Sequence, residues 1–96
     1  MSLETRPFDP AAYLESEAAV AAYLTEALDS NDPHFIADAL GVIARARGMT
    51  KVAREAGLSR ESLYRTLGPE GNPELSTLLR VLGVLGLRLS VRPVEG

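Results

Sequence analysis

Residues 50–67, Thr-Lys-Val-Ala-Arg-Glu-Ala-Gly-Leu-Ser-Arg-Glu-Ser-Leu-Tyr-Arg-Thr-Leu, decide the fold. They read as two short helices around a tight turn. In such a hairpin the second helix crosses close to the first, which requires a small residue at the crossing, and Ala53 supplies it. Four residues on, Gly57 supplies the left-handed backbone that ends the first helix. Leu58 plugs the corner, Ser59 caps the second helix, and Leu63 and Leu67 give that helix one apolar stripe. Arg60, Glu61, Tyr64 and Arg65 are left facing outward. The pattern is that of a helix-turn-helix whose second helix enters the major groove of DNA.

The same punctuation divides the rest of the chain. Pro7 and Pro10 keep residues 1–9 extended as an N-terminal arm, and Asp9-Pro10 opens a short helical turn over residues 11–15. Ser16 with Glu17 starts a stronger helix to about Asp29, in which Val20, Tyr23, Leu24, Ala27 and Leu28 keep the spacing of one buried stripe. Ser30-Asn31-Asp32-Pro33 is a turn followed by another cap. The next helix, about Pro33–Arg47, buries Ile36, Leu40 and Ile43 and ends at Gly48. Gly41 inside it marks close packing against a neighbour, since glycine there costs about 1 kcal/mol relative to alanine. Thr50 is the expected cap of the first hairpin helix, about Lys51–Ala56. Beyond the second, Pro69-Glu70-Gly71-Asn72-Pro73 form a loop. A last helix, about Glu74–Leu85, presents Leu75, Leu78, Leu79, Leu82 and Leu85 and stops at Gly86. An all-α fold is expected: a small helical bundle of about five helices, one domain over residues 1–96.

The final segment changes period. Leu87, Leu89 and Val91 alternate with Arg88, Ser90 and Arg92, so residues 87–93 read as a short C-terminal β-strand with one apolar face. A lone strand cannot satisfy its own backbone groups. Three partners remain open. The same strand of a second copy would give a two-fold homodimer suited to paired half-sites. Residues 3–8 of the same chain are a weaker candidate, and the sheet of a partner protein is a third.

With 96 residues, 46% hydrophobic and 24% charged, the chain can build a modest core and is not wholly disordered. The absence of cysteine excludes disulfides, thiolate zinc sites and cysteine nucleophiles. His34 is the single histidine, placed after a helix-opening Asp-Pro, where it tunes a helix end rather than performing catalysis. No acids stand at metal-ligand spacing, no glycine-rich loop cradles a phosphate, and Ser59 and Ser62 have no base near them in sequence. No enzymatic activity, metal or cofactor is therefore expected. The start, Met-Ser-Leu-Glu-Thr-Arg-Pro, lacks the basic-then-apolar order of a signal peptide, and no apolar run nears the roughly 18 residues of a membrane span. A soluble cytoplasmic protein is the expectation.

Net charge is −3, but its distribution says more. Residues 1–44 hold eight acids against Arg6, whereas residues 45–66 hold six cations (Arg45, Arg47, Lys51, Arg54, Arg60, Arg65) against Glu55 and Glu61. Positive charge is thus concentrated on the hairpin, where phosphate contacts need it. The acidic first half repels DNA; it either attracts a basic partner or is simply a set of solvated helix faces.

Within the hairpin, Arg60 and Arg65 can each set a guanidinium against guanine O6 and N7, a contact worth about 1–3 kcal/mol of discrimination. Glu61 can accept from cytosine N4 or hold Arg65 across one helical turn. Tyr64 offers a ring edge to a thymine methyl and a hydroxyl to a phosphate. Thr50, Lys51 and Ser59 lie at helix N-termini, where phosphate oxygens meet backbone N–H groups, and Asn72 in the following loop is a further phosphate candidate. Base readers and phosphate readers are not separable at this level, and each arginine taken singly can equally be a plain surface charge.

These residues and their flanks resemble the addiction-module antidote proteins, the HigA-like antitoxins of bacterial type II toxin–antitoxin pairs. The resemblance runs through Asp38–Met49, Ala53–Tyr64, Gly71-Asn72-Pro73 and Val81–Leu89, with Tyr13-Leu14 and Ala22-Tyr23-Leu24 similar to the family's N-terminal helices. The stretch from Ile43 to Tyr64 together with Gly71-Asn72-Pro73 is its most specific part. The resemblance implies a λ-repressor-like helical domain that binds the operator DNA of its own operon and neutralises a cognate RelE/ParE-like toxin. It implies DNA contact by Ser59, Arg60, Glu61, Tyr64 and Arg65. A phage-repressor-type regulator without a toxin partner is the alternative, and a helical interaction module that no longer binds DNA is a third.

Overall fold

A computed structural model describes residues 16–95, and five helices lie within them: α1 Glu17–Asp29, α2 Pro33–Arg47, α3 Met49–Ala56, α4 Arg60–Thr66 and α5 Leu75–Val84. The expected helical bundle is what these residues form. The expected arm over residues 1–9, the helical turn over 11–15 and the resemblance at Tyr13-Leu14 lie outside the described residues.

Helix starts follow the capping chemistry. Ser16 Oγ accepts the Ala19 N–H at 3.0 Å and opens α1. Asp32 Oδ1 accepts the His34 and Phe35 N–H groups at 3.0 and 3.4 Å, with Pro33 preset for the first turn of α2. Between the two helices Asn31 takes the left-handed conformation, φ 57°, which asparagine tolerates better than most residues. That turn reverses the chain and lays α1 against α2.

Gly48 joins α2 to α3 at φ 103°. Its N–H donates to the Arg45 carbonyl at 3.2 Å and its carbonyl accepts from Val52 N–H at 3.0 Å, so one residue closes α2 and opens α3. This corrects the cap expected at Thr50. Thr50 is already the second residue of α3, which begins at Met49 without any side-chain cap.

The core is drawn from all five helices: Val20 and Leu24 of α1, Leu40 and Ile43 of α2, Val52 and Ala53 of α3, Leu63 of α4, Val81 and Leu82 of α5, joined by Leu67 and Leu85. Each fully buried Leu, Ile or Val side chain stabilises the fold by about 1.5–3 kcal/mol. The eight-residue α3 lies at the centre, packing on α2, α4 and α5. Gly41 marks close packing, as expected. A Cβ there would come 2.6 Å from the Leu67 carbonyl oxygen, because α2 crosses the C-terminal end of α4 at that point. On α5 the leucines divide. Leu82 and Leu85 are buried, while Leu75 and Leu79 face solvent.

Residues 87–93 are not a strand; there is none among the described residues. Gly86, at φ 76°, ends α5, and the Leu87 N–H returns to the Leu82 carbonyl at 2.8 Å. Beyond that the chain runs on without a ladder, Leu87 and Leu89 half-buried against the core and Val91 98% exposed. The alternation is real, but a ladder needs a second strand, and within the described residues none lies beside it. Arg92 approaches Asp29 at 3.8 Å with both side chains exposed, a contact that stabilises little. No helix of the described residues is long and apolar enough to cross a membrane.

Candidate nucleic-acid interface

The turn between α3 and α4 is built by three residues. Gly57 lies at φ 73°, ψ 31°, its N–H donating to the Arg54 carbonyl at 3.2 Å, and the Leu58 N–H reaches the Ala53 carbonyl at 2.8 Å. This paired closure is the Schellman arrangement, which needs a residue at ease in the left-handed region. Ala53 is buried and Leu58 packs against the core, as their positions in the hairpin require. Ser59 Oγ then accepts the Ser62 N–H at 3.0 Å and starts α4. The Ser59 hydroxyl is therefore committed to capping.

α4 has only seven residues. Leu63 and, just past its end, Leu67 fix it on the core, leaving Arg60, Glu61, Tyr64 and Arg65 exposed together. The Arg60 guanidinium lies 5.3 Å from the centre of the Tyr64 ring, and its Nη2 donates to the Tyr64 hydroxyl at 3.4 Å. This pair corrects the contact weighed between Glu61 and Arg65. The ion pair among the described residues is Arg92 with Asp29, so Glu61 does not hold Arg65. Both spacings are one helical turn, but only the Arg60–Tyr64 pair closes, its ring face attracting the guanidinium by charge and by contact area. The arrangement presents a flat guanidinium–phenol pair and a second, exposed guanidinium on one short, rigidly seated helix. Such groups match planar acceptor edges and phosphate oxygens.

The remaining candidates are spread around this face. Thr50 and Lys51 are exposed on the first turn of α3, the end remote from the turn at Gly57. Asn72 is exposed in the loop beyond the other end of α4. Just before it, buried Gly71 passes so close under α4 that a Cβ would land on the Thr66 carbonyl.

Arg47 was not among the candidates. It stands in the last turn of α2, half-buried, with a buried Nε that has no hydrogen-bond partner, and it lines a hollow of about 130 Å³ with Lys51 and Glu55. Its place beside Gly48 was the available signal. No group of acids and histidines capable of holding a metal ion occurs among the described residues.

Residues 4–93 match the family of probable addiction module antidote proteins. An uncharacterised protein of Haemophilus influenzae is 42% identical over 92 residues, covering 96% of this chain and 95% of the relative. No solved structure matches the chain.

Proposed function

The chain belongs to the family of probable addiction module antidote proteins, and on that ground we propose that it is the antitoxin of a type II toxin–antitoxin pair, which represses its own operon and neutralises a RelE/ParE-like toxin. In this reading α3 and α4 form a λ-repressor-like helix-turn-helix, and α4 enters the major groove of operator DNA. The observation that carries the reading is the face of α4, where Arg60, Tyr64 and Arg65 stand exposed on a capped helix in the one strongly basic stretch of an acidic chain. Arg60, Glu61, Tyr64 and Arg65 approach base edges and phosphates. Thr50, Lys51 and the backbone at Ser59 meet phosphates, with Asn72 beyond them. Two copies bind two half-sites as a homodimer in the cytoplasm.

The toxin partner is argued from charge. Glu17, Glu26, Asp29, Asp32 and Asp38 are all exposed on α1, the α1–α2 turn and α2, with no Lys or Arg between Glu17 and Ala44. Such a surface attracts a basic protein and speeds its encounter. A salt titration of binding to the protein's own promoter tests the DNA reading. A complex with 6–10 phosphate contacts loses about 10³–10⁵ in affinity between 50 and 200 mM salt, and a flat profile refutes it. Co-purification with the product of an adjacent gene tests the toxin reading. An unaccompanied protein that still binds its promoter is the phage-repressor-type regulator instead.

A further inference from the structure

Residues 87–95 lie beside α1 and, with Leu24, Leu28 and Leu82, line a groove of about 830 Å³. By the period of an extended chain Leu87, Leu89 and Val91 share one face. Leu87 and Leu89 are half-buried, whereas Val91 is 98% exposed. Among the described residues, no backbone group of residues 88–95 takes part in a backbone hydrogen bond. The segment is an apolar strip with an unpaired edge on both sides, a template for another strand.

We propose that two copies of this chain pair through residues 87–91 as an antiparallel two-stranded ribbon centred on Leu89, each strand covering the other's groove. Charge selects the register. A ribbon centred on Arg88 sets that residue against its own copy. One centred on Ser90 sets Arg88 against Arg92 twice. Like charges directly opposite destabilise a pair. Centres between residues put the apolar face of one strand against the polar face of the other. Centred on Leu89, each Leu87 meets the partner's Val91, each Arg88 meets the partner's Ser90, and no arginine opposes another. Gly86, at φ 76° where α5 ends, limits the ribbon at each end. The ribbon deepens the dimeric reading above, and its test contains no DNA, so its failure leaves the DNA reading standing.

The test is sedimentation of the full chain. A dimer at micromolar concentration is expected, and a monomer overturns the proposal. Val91→Glu alters a side chain that is 98% exposed in the single chain. It leaves the helical circular dichroism unchanged and weakens the dimer about tenfold or more, a loss of about 1.4 kcal/mol. A dimer unaffected by Val91→Glu overturns the ribbon, as does pairing of the segment with residues 3–8 of the same chain. The chain has no cysteine, so single substitutions report the register. Under mild oxidation Leu89→Cys gives more disulfide-linked dimer than Arg88→Cys or Ser90→Cys. A maximum at residue 88 or 90, or equal yields at all positions, overturns the Leu89 centre.

Discussion

Replacing Gly71 with alanine places one carbon where the backbone of α4 already is. The new Cβ lands on the Thr66 carbonyl and lies 2.9 Å from the Arg65 carbonyl oxygen. Both obstacles are main chain, so no rotation of a side chain relieves the overlap. Gly71 is outside the left-handed region, which makes the cost steric alone. Overpacking costs about 1–3 kcal/mol where neighbours can adjust, and the rigid end of a capped helix puts this case at about 3 kcal/mol. In a domain of this size about 1 kcal/mol moves Tm by 4–8 °C, so Gly71→Ala should melt roughly 12–24 °C below the wild type. Gly83→Ala is the matched control. A Cβ on this exposed α5 glycine meets nothing within 4 Å, and the change should add about 0.5–1 kcal/mol of helix propensity and raise Tm by about 2–8 °C. Scanning calorimetry measures both. A Gly71→Ala protein melting with the wild type would refute the close passage of this loop under α4. Should it fold, its displaced loop also moves Arg65, and duplex binding should fall with it.

Three further outcomes concern the exposed face. Arg60→Ala removes an exposed cation–π pair worth about 0.5–1 kcal/mol, so Tm falls by no more than about 8 °C, while affinity for the operator drops by about 1–3 kcal/mol per half-site with relaxed specificity at one base. A uniform loss with a shallower salt slope makes Arg60 a phosphate contact, and unchanged affinity removes α4 from the interface. Ser59→Ala deletes the cap of α4 and should cost about 1 kcal/mol by thermal melting, with Ser59→Asp restoring most of it. Glu61→Gln removes a carboxylate without an ion-pair partner among the described residues, so melting should not change, and non-specific duplex affinity in filter binding should rise.

Much of the fold was legible because its punctuation is local. Ser16, Asp32 and Ser59 cap helices as their residue types and positions indicate, and the spacing of Ala53, Gly57 and Leu58 foretold the turn. Thr50 misled because a glycine at φ 103° can end one helix and begin the next without a gap, which composition does not reveal. The i, i+4 spacing allowed Arg60 with Tyr64 and Glu61 with Arg65 alike, and only the side-chain geometry shows that the first pair forms and the second does not. The expected strand at residues 87–93 did not form, because alternation fixes only one face and no second strand lies beside it among the described residues. Leu75 and Leu79 illustrate the same limit, since apolar spacing on α5 does not say how many of its turns another helix covers.

Helices shorter than about 12–15 residues are marginal on their own in water, and α4 has seven. Its shape is borrowed from Leu63, Leu67 and the cap, so the outward face of Arg60, Tyr64 and Arg65 exists only in molecules whose core is intact. Backbone amide protons of α4 should exchange with solvent by the same cooperative opening as those of α2. Surface occupancy by any ligand of that face then follows the folded fraction. A cell that unfolds or degrades this chain switches the face off without touching a single contact residue.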